Sequence, residues 1–286
     1  MPKLLMEVVY TDESCDMIDI TNNKNNLGWY GYYKDYTKVK SITIPEGVTV
    51  IQCEDFRKFC HLECISLPNT LKEIGSSAFE YTSLKSIIIP DSVLTIGSYA
   101  FTNCYNLEHI HIGSGIKRIP RGLFQNSGIK QIVIPDTVIE IECCFVGCDN
   151  LEYVKIPDHI NIIDSGMFNG CRKLGSFNIP KECKRIEEGS FMGCVNLASI
   201  EISNKCAYIG RGAFENCTSL LTATIPDSTR YIGDGCFYMC SSLESFNVTS
   251  KKVKFGYGVL QGCGNLKVVN IANGIIKNKH IFNDYC

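Results

Sequence analysis

Cys60-His61-Leu62-Glu63-Cys64, with Cys53 seven residues before it, is the stretch of this chain best supplied with metal-ligating and nucleophilic side chains. Three thiols and an imidazole are the ligand types of a tetrahedral zinc site, and a thiol beside an imidazole is the pairing of a cysteine nucleophile. Neither chemistry finds its remaining parts. No second C-x-x-C or H-x-x-x-H completes a zinc set, and Cys64 falls at a strand start, facing away from the interior. Catalysis needs a nucleophile, a base and a group that orients the base. The five histidines, His61, His109, His111, His159 and His280, sit in no G-x-S-x-G, H-E-x-x-H, P-loop or G-x-G-x-x-G pattern. The pair Cys143-Cys144 lies where the chain's period is one residue short, so a loop adjustment accounts for it. The expectation is a chain that is not an enzyme, with no catalytic, cofactor-binding or metal-binding residue and no cofactor.

The elements that carry these side chains follow from a repeat. Val39, Leu62, Leu84, Leu107, Ile129, Leu151, Leu174, Leu197, Leu220, Leu243 and Leu266 recur every 22 or 23 residues. Five residues after each opener stands Ile, Leu or Val, and a Phe column runs Phe56, Phe79, Phe101, Phe124, Phe145, Phe168, Phe191, Phe214, Phe237. Self-similarity at such a period is the signature of stacked coils, none of which can bury its apolar side alone. The opening L-x-x-I-x-I alternates as a strand with one buried face. A proline follows in seven units (Pro45, Pro68, Pro90, Pro135, Pro157, Pro180, Pro226) and ends the strand, since it has no N–H for the ladder. Stacked in parallel at about 4.8 Å, eleven strands make a sheet roughly 50 Å long. Residues 1–38 break the period and are expected to cap the first coil, which leaves 39–286 as the solenoid.

The unit resembles a leucine-rich repeat of the BspA-like type, I-P-x-x-V-x-x-I-G-x-x-A-F-x-x-C-x-x-L-x-x-I. Ile89 to Ile110 matches this signature at almost every fixed position, and Ile202 to Leu220 matches well. Phe145 arrives one residue early, and Gly113 and Ser203 replace proline. The resemblance implies a leucine-rich-repeat solenoid, mainly β with short helical turns, and a parallel sheet of about 11 strands on the concave face. It also implies a non-enzymatic protein-interaction role of an adhesin-like or host-interaction kind at the cell surface.

Seven cysteines, Cys104, Cys148, Cys171, Cys194, Cys217, Cys240 and Cys263, stand three residues after the Phe column. Stacked with parallel Cβ vectors they hold their sulfurs in poor disulfide geometry, so they are expected to be reduced, buried thiols. That points to a reducing compartment or to simple burial, whereas the resemblance points outside the cell; the sequence leaves the compartment open, and the oligomeric state with it.

Composition narrows the partner. The chain has 28 Lys and Arg against 30 Asp and Glu, and its densest basic run, Lys251-Lys252-Val253-Lys254, is short, so a nucleic-acid partner is not expected. No apolar stretch approaches the roughly 20 residues of a membrane helix. A protein partner, of host or cell-surface type, remains. The strand Leu107-Glu-His-Ile-His-Ile turns Ile110 and Ile112 inward and His109 and His111 outward. Adjacent strands add Ser86 and Ile88, then Gln131 and Val133, then Tyr153 and Lys155, a mix of apolar, aromatic and donor groups suited to recognition. A second reading is a glycan surface built from Trp29, Tyr30, Tyr32 and Tyr33 in the N-terminal segment.

Overall fold

A computed structural model describes residues 3–22, 24, 27–28 and 33–272. The chain forms coils of two short strands each, grouped in two compact units, Met1–Phe145 and Val146–Cys286.

In the first unit the hairpin β1 (Leu5–Tyr10) and β2 (Cys15–Asp19) precedes five coils. The strand opening each coil is β3 (Val39–Thr43), β5 (Cys64–Ser66), β7 (Ser86–Ile88), β9 (His109–His111) and β11 (Gln131–Val133). The returning strands are β4 (Val50–Ile51), β6 (Glu73–Ile74), β8 (Thr95–Ile96), β10 (Arg118–Ile119) and β12 (Glu140–Ile141). Like strands pair in parallel: Ser41 lies beside Cys64, Ser86 beside His109, and Val50 beside Glu73. β1 runs antiparallel along β3, so that strand has neighbours on both edges.

The second unit repeats the plan with opening strands β13 (Tyr153–Lys155), β15 (Ser176–Asn178), β17 (Ser199–Glu201), β19 (Thr222–Ile225), β21 (Ser245–Val248) and β23 (Val268–Ile271). Its returning strands are β14 (Ile162–Ile163), β16 (Arg185–Ile186), β18 (Tyr208–Ile209), β20 (Tyr231–Ile232) and β22 (Lys254–Phe255), a continuous five-stranded parallel ladder.

The eleven opening strands match the sequence period. The connecting turns do not match the expectation of short helices: among the described residues the only helical element is a 3-10 turn at Tyr36–Lys38. The reason lies in where the turn amides go. Glu54, Phe56 and Lys58 donate to Ser76, Ala78 and Glu80 of the next coil at 2.8 to 3.0 Å, and Gly189, Phe191 and Gly193 do the same toward Arg211, Ala213 and Glu215. Alternate N–H groups are thus spent between coils and cannot form an i→i−4 series. The alternation needs two left-handed residues four apart, Glu54 and Lys58 in one turn and Gly189 and Gly193 in another.

Between the two ladders the phenylalanines form face-to-face columns. Phe79 and Phe101 lie 5.2 Å apart and 2° from parallel; in the second unit Phe191, Phe214 and Phe237 are spaced 5.3 and 5.2 Å. All are fully buried. The glycine of the signature's I-G pair is explained by crowding: a Cβ on Gly97 would meet the Ser76 amide nitrogen at 2.3 Å, and one on Gly233 the Arg211 nitrogen at 2.4 Å.

The cysteine column is buried and unbridged among the described residues. Its thiols also have a directed role. The Sγ atoms of Cys194, Cys217, Cys240 and Cys263 each donate to the carbonyl of the preceding coil's phenylalanine, Phe168, Phe191, Phe214 and Phe237, at 3.1 to 3.2 Å. The same carbonyls accept the N–H of their own coil's cysteine, so both lone pairs are engaged.

Candidate interaction surface

Alternation along β7, β9 and β11 decides what faces outward in the first unit. Ile87 and Ile132 are buried, so Ser86, Ile88, His109, His111, Gln131 and Val133 project from the sheet, as the sequence pattern anticipates. Register then sets neighbours. Ile88 lies beside His111, and Ser86 and Gln131 lie on either side of His109. The same register carries Val133 to the other flank of His111. Ile88 is 70% exposed and Val133 56%, large values for aliphatic side chains. The structure therefore brings five expected residues, Ile88, His109, His111, Gln131 and Val133, onto one face. The other two, Tyr153 and Lys155, both exposed, belong to the opening strand of the second unit.

Charges border this face in a pattern overlooked in the sequence. One residue after each opener stand Lys40, Glu63, Lys85, Glu108 and Lys130, signs alternating coil by coil. Glu63 pairs with Lys85 at 2.6 Å and Glu108 with Lys130 at 2.7 Å; Lys40 reaches back to Glu13 of the hairpin at 2.5 Å. The hydrogen bond from Lys130 holds the Glu108 carboxyl below the usual range, and Lys85 does so for Glu63. Asp91 is held down by the Ser114 amide and hydroxyl, with His111 a smaller contributor. The alternation was legible from the sequence once openers were aligned.

The N-terminal aromatic reading requires a correction at Tyr33. Its side chain is 7% exposed, its hydroxyl donates to the Leu27 carbonyl at 2.6 Å, and its ring meets Phe59 edge-on at 5.1 Å, so it packs inside and presents nothing to a ligand. Trp29, Tyr30 and Tyr32 lie outside the described residues. Near by, Asp55 is buried and accepts from the Gly28 amide at 3.1 Å and the Gln52 amide at 2.7 Å, which ties this segment to the first coil. Gly28 fits there because a Cβ would stand 2.0 Å from the Asp55 carbonyl oxygen.

The thiol–imidazole pair stands at the surface, against the 3-10 turn. Cys60 and His61 are exposed, with Sγ 3.4 Å from Nδ1, and both point at the Thr37 carbonyl. Cys53 and Cys64 are exposed too. Among the described residues no three His, Cys, Asp or Glu side chains are grouped to hold a metal ion, and no helix is long and apolar enough to cross a membrane.

A model of the BspA type leucine-rich repeat region matches residues 25–144 and 142–267, in six copies. Solved structures similar to the chain include a leucine-rich repeat protein from Bacteroides ovatus, 28% identical, with a TM-score of 0.54 over 79% of this chain and 71% of that one. Another, from Eubacterium ventriosum, is 21% identical with a TM-score of 0.61 over 94% and 82% of the two chains. The pneumococcal vaccine antigen PcpA is 21% identical, with a TM-score of 0.54 over 85% and 70%. No curated protein sequence is significantly similar.

Proposed function

Because the chain belongs to the BspA-type leucine-rich repeat family, a family of protein-interaction repeats that are generally non-enzymatic scaffolds, we propose that it binds a protein partner through the outward sheet face around His111 and has no catalytic role of its own. One observation carries this reading. His111 stands between Ile88 and Val133, two aliphatic side chains held in the open on neighbouring rungs and bordered by the ion pairs Glu63–Lys85 and Glu108–Lys130. An apolar centre with a charged rim is the anatomy of a recognition patch. Covering Ile88 and Val133 contributes about 1–2 kcal/mol each. The rungs are fixed by paired backbones, so little side-chain and loop ordering opposes association. Tyr153 and Lys155 are proposed as further contacts. The partner is proposed to be a host or cell-surface protein and the role adhesin-like, the class the family resemblance implies.

The test is affinity capture by the immobilised chain from host and self extracts, run beside Ile88→Asp/Val133→Asp and His111→Ala/Tyr153→Ala variants. A partner held by the parent chain should bind each variant at least about tenfold more weakly, the loss expected when a central apolar contact is removed. Equal capture by parent and variants discards this face as the binding site.

A further inference from the structure

The returning strands of the second unit carry an outward row that the proposed protein-binding face does not use. Register places Ile162, Arg185, Tyr208, Tyr231 and Lys254 side by side on successive rungs. The Arg185 guanidinium lies 4.1 Å over the Tyr208 ring, and Tyr208 stacks on Tyr231 at 5.5 Å and 14°. Cations gather along this row. Arg185 and Lys205 are answered by Glu187 and Glu182 at 2.6 and 2.5 Å. Lys184, Arg230, Lys252 and Lys254 have no carboxylate within ion-pair distance among the described residues. Beside Arg230 opens a hollow of about 770 Å³, lined by Lys251, Lys252, Asn247, Asn270 and a single carboxylate, Asp227. Its size is that of a small-ligand site.

We propose that this hollow and the adjoining tyrosine row bind an anionic carbohydrate, a sugar chain bearing carboxylate or sulfate groups. Cations answer its charge, and the carboxamides of Asn247 and Asn270, already linked at 2.8 Å, answer its hydroxyls. Other polyanions fit less well. Single-stranded nucleic acid binds by stacking bases on open aromatic faces. Here Tyr208 has Arg185 over one face and Tyr231 over the other, which leaves ring edges outward. An acidic peptide adding as a strand needs a free edge, which the tyrosine row does not offer, since β16, β18 and β20 are each paired on both sides; β22 and β23 end their sheets among the described residues, and poly-glutamate tests them. The inference is independent of the protein-binding proposal, none of whose residues lines the hollow.

Calorimetric titration of the intact chain with heparin, at low and high salt, tests it, with dextran, poly-glutamate and oligo-deoxythymidylate as the other probes. Heparin should bind and weaken with salt, and dextran should not bind. Arg230→Gln/Lys252→Gln should reduce heparin affinity about tenfold or more, the loss of one charge-assisted hydrogen bond or more. Tyr231→Ala should also weaken it, with circular dichroism confirming that each variant folds. Ile88→Asp/Val133→Asp should leave heparin binding unchanged, which separates this site from the protein-binding one. Heparin binding no tighter than dextran, or equal in parent and Arg230→Gln/Lys252→Gln, overturns the proposal. Poly-glutamate or oligo-deoxythymidylate binding as tightly as heparin overturns the carbohydrate assignment.

Discussion

The Cys217 sulfur lies 3.2 Å from the Phe191 carbonyl, in a site that excludes water entirely. Burial pushes its thiol pKa well above the usual value, and it raises Cys194 to about 12 and Cys104 to about 11. These cysteines are therefore protonated donors at any physiological pH, poor nucleophiles but useful hydrogen-bond partners. Ser127 and Thr82 occupy the same column in the first unit, where Thr82 donates to the Phe79 carbonyl at 2.9 Å. Cys217→Ser keeps a donor and should cost less stability than Cys217→Val, which keeps bulk but leaves the carbonyl short of a partner, by about 1–2 kcal/mol in urea unfolding. The reverse order would show the column to be apolar filling alone. Asp55 gives a second residue-level expectation. Burial raises its carboxyl pKa despite three amides that pull the other way. A proton is thus held more tightly in the folded chain than in the unfolded one, so its contribution is full below the unfolded pKa near 4 and is lost as pH rises through the raised folded value. Relative to Asp55→Asn, the parent chain should gain stability as pH falls from 7 toward 4 in thermal unfolding; a relative loss would contradict this. The column's spacing was plain in the sequence, but the Phe carbonyl as its acceptor was not, because the partner lies a whole coil away.

At the scale of the element, the period set the strands and the phenylalanine columns correctly, since each strand shows its own alternation and each Phe its own register. Phe214, stacked between Phe191 and Phe237, should cost about 3–5 kcal/mol when replaced by Ala, and clearly less when replaced by Leu, in denaturant unfolding. Equal losses would mean that the stacked ring itself contributes nothing beyond its bulk. The returning strands and the turns were less legible. A two-residue strand such as Glu73–Ile74 has no alternation to display. A turn such as 97–101 holds residues compatible with a helix, and only the demand of the next coil for its amides rules the helix out. Tyr33 was misjudged for a related reason: an aromatic-rich segment reads alike whether its rings face solvent or the first coil. The hairpin β1–β2, lying along β3 and tied down through Asp55, supports our reading of residues 1–38 as a cap on the first coil.

For the whole molecule, a net charge of -2 conceals segregation. Alternating signs border the opening ladder of the first unit, whereas Lys184, Arg230, Lys252 and Lys254, with no carboxylate at ion-pair distance among the described residues, lie on or beside the returning strands of the second. Coils that contact only their neighbours spread stability along the chain. What they supply is a lattice of side chains at fixed spacing, and recognition is the use such a lattice serves. The most direct measurement is hydroxyl-radical footprinting of the chain with and without its captured protein partner. Oxidation of Ile88, His109, His111 and Val133 should fall on complex formation while that of Tyr208 and Tyr231 stays unchanged; undiminished oxidation at those four residues in a saturated complex would contradict the proposed face.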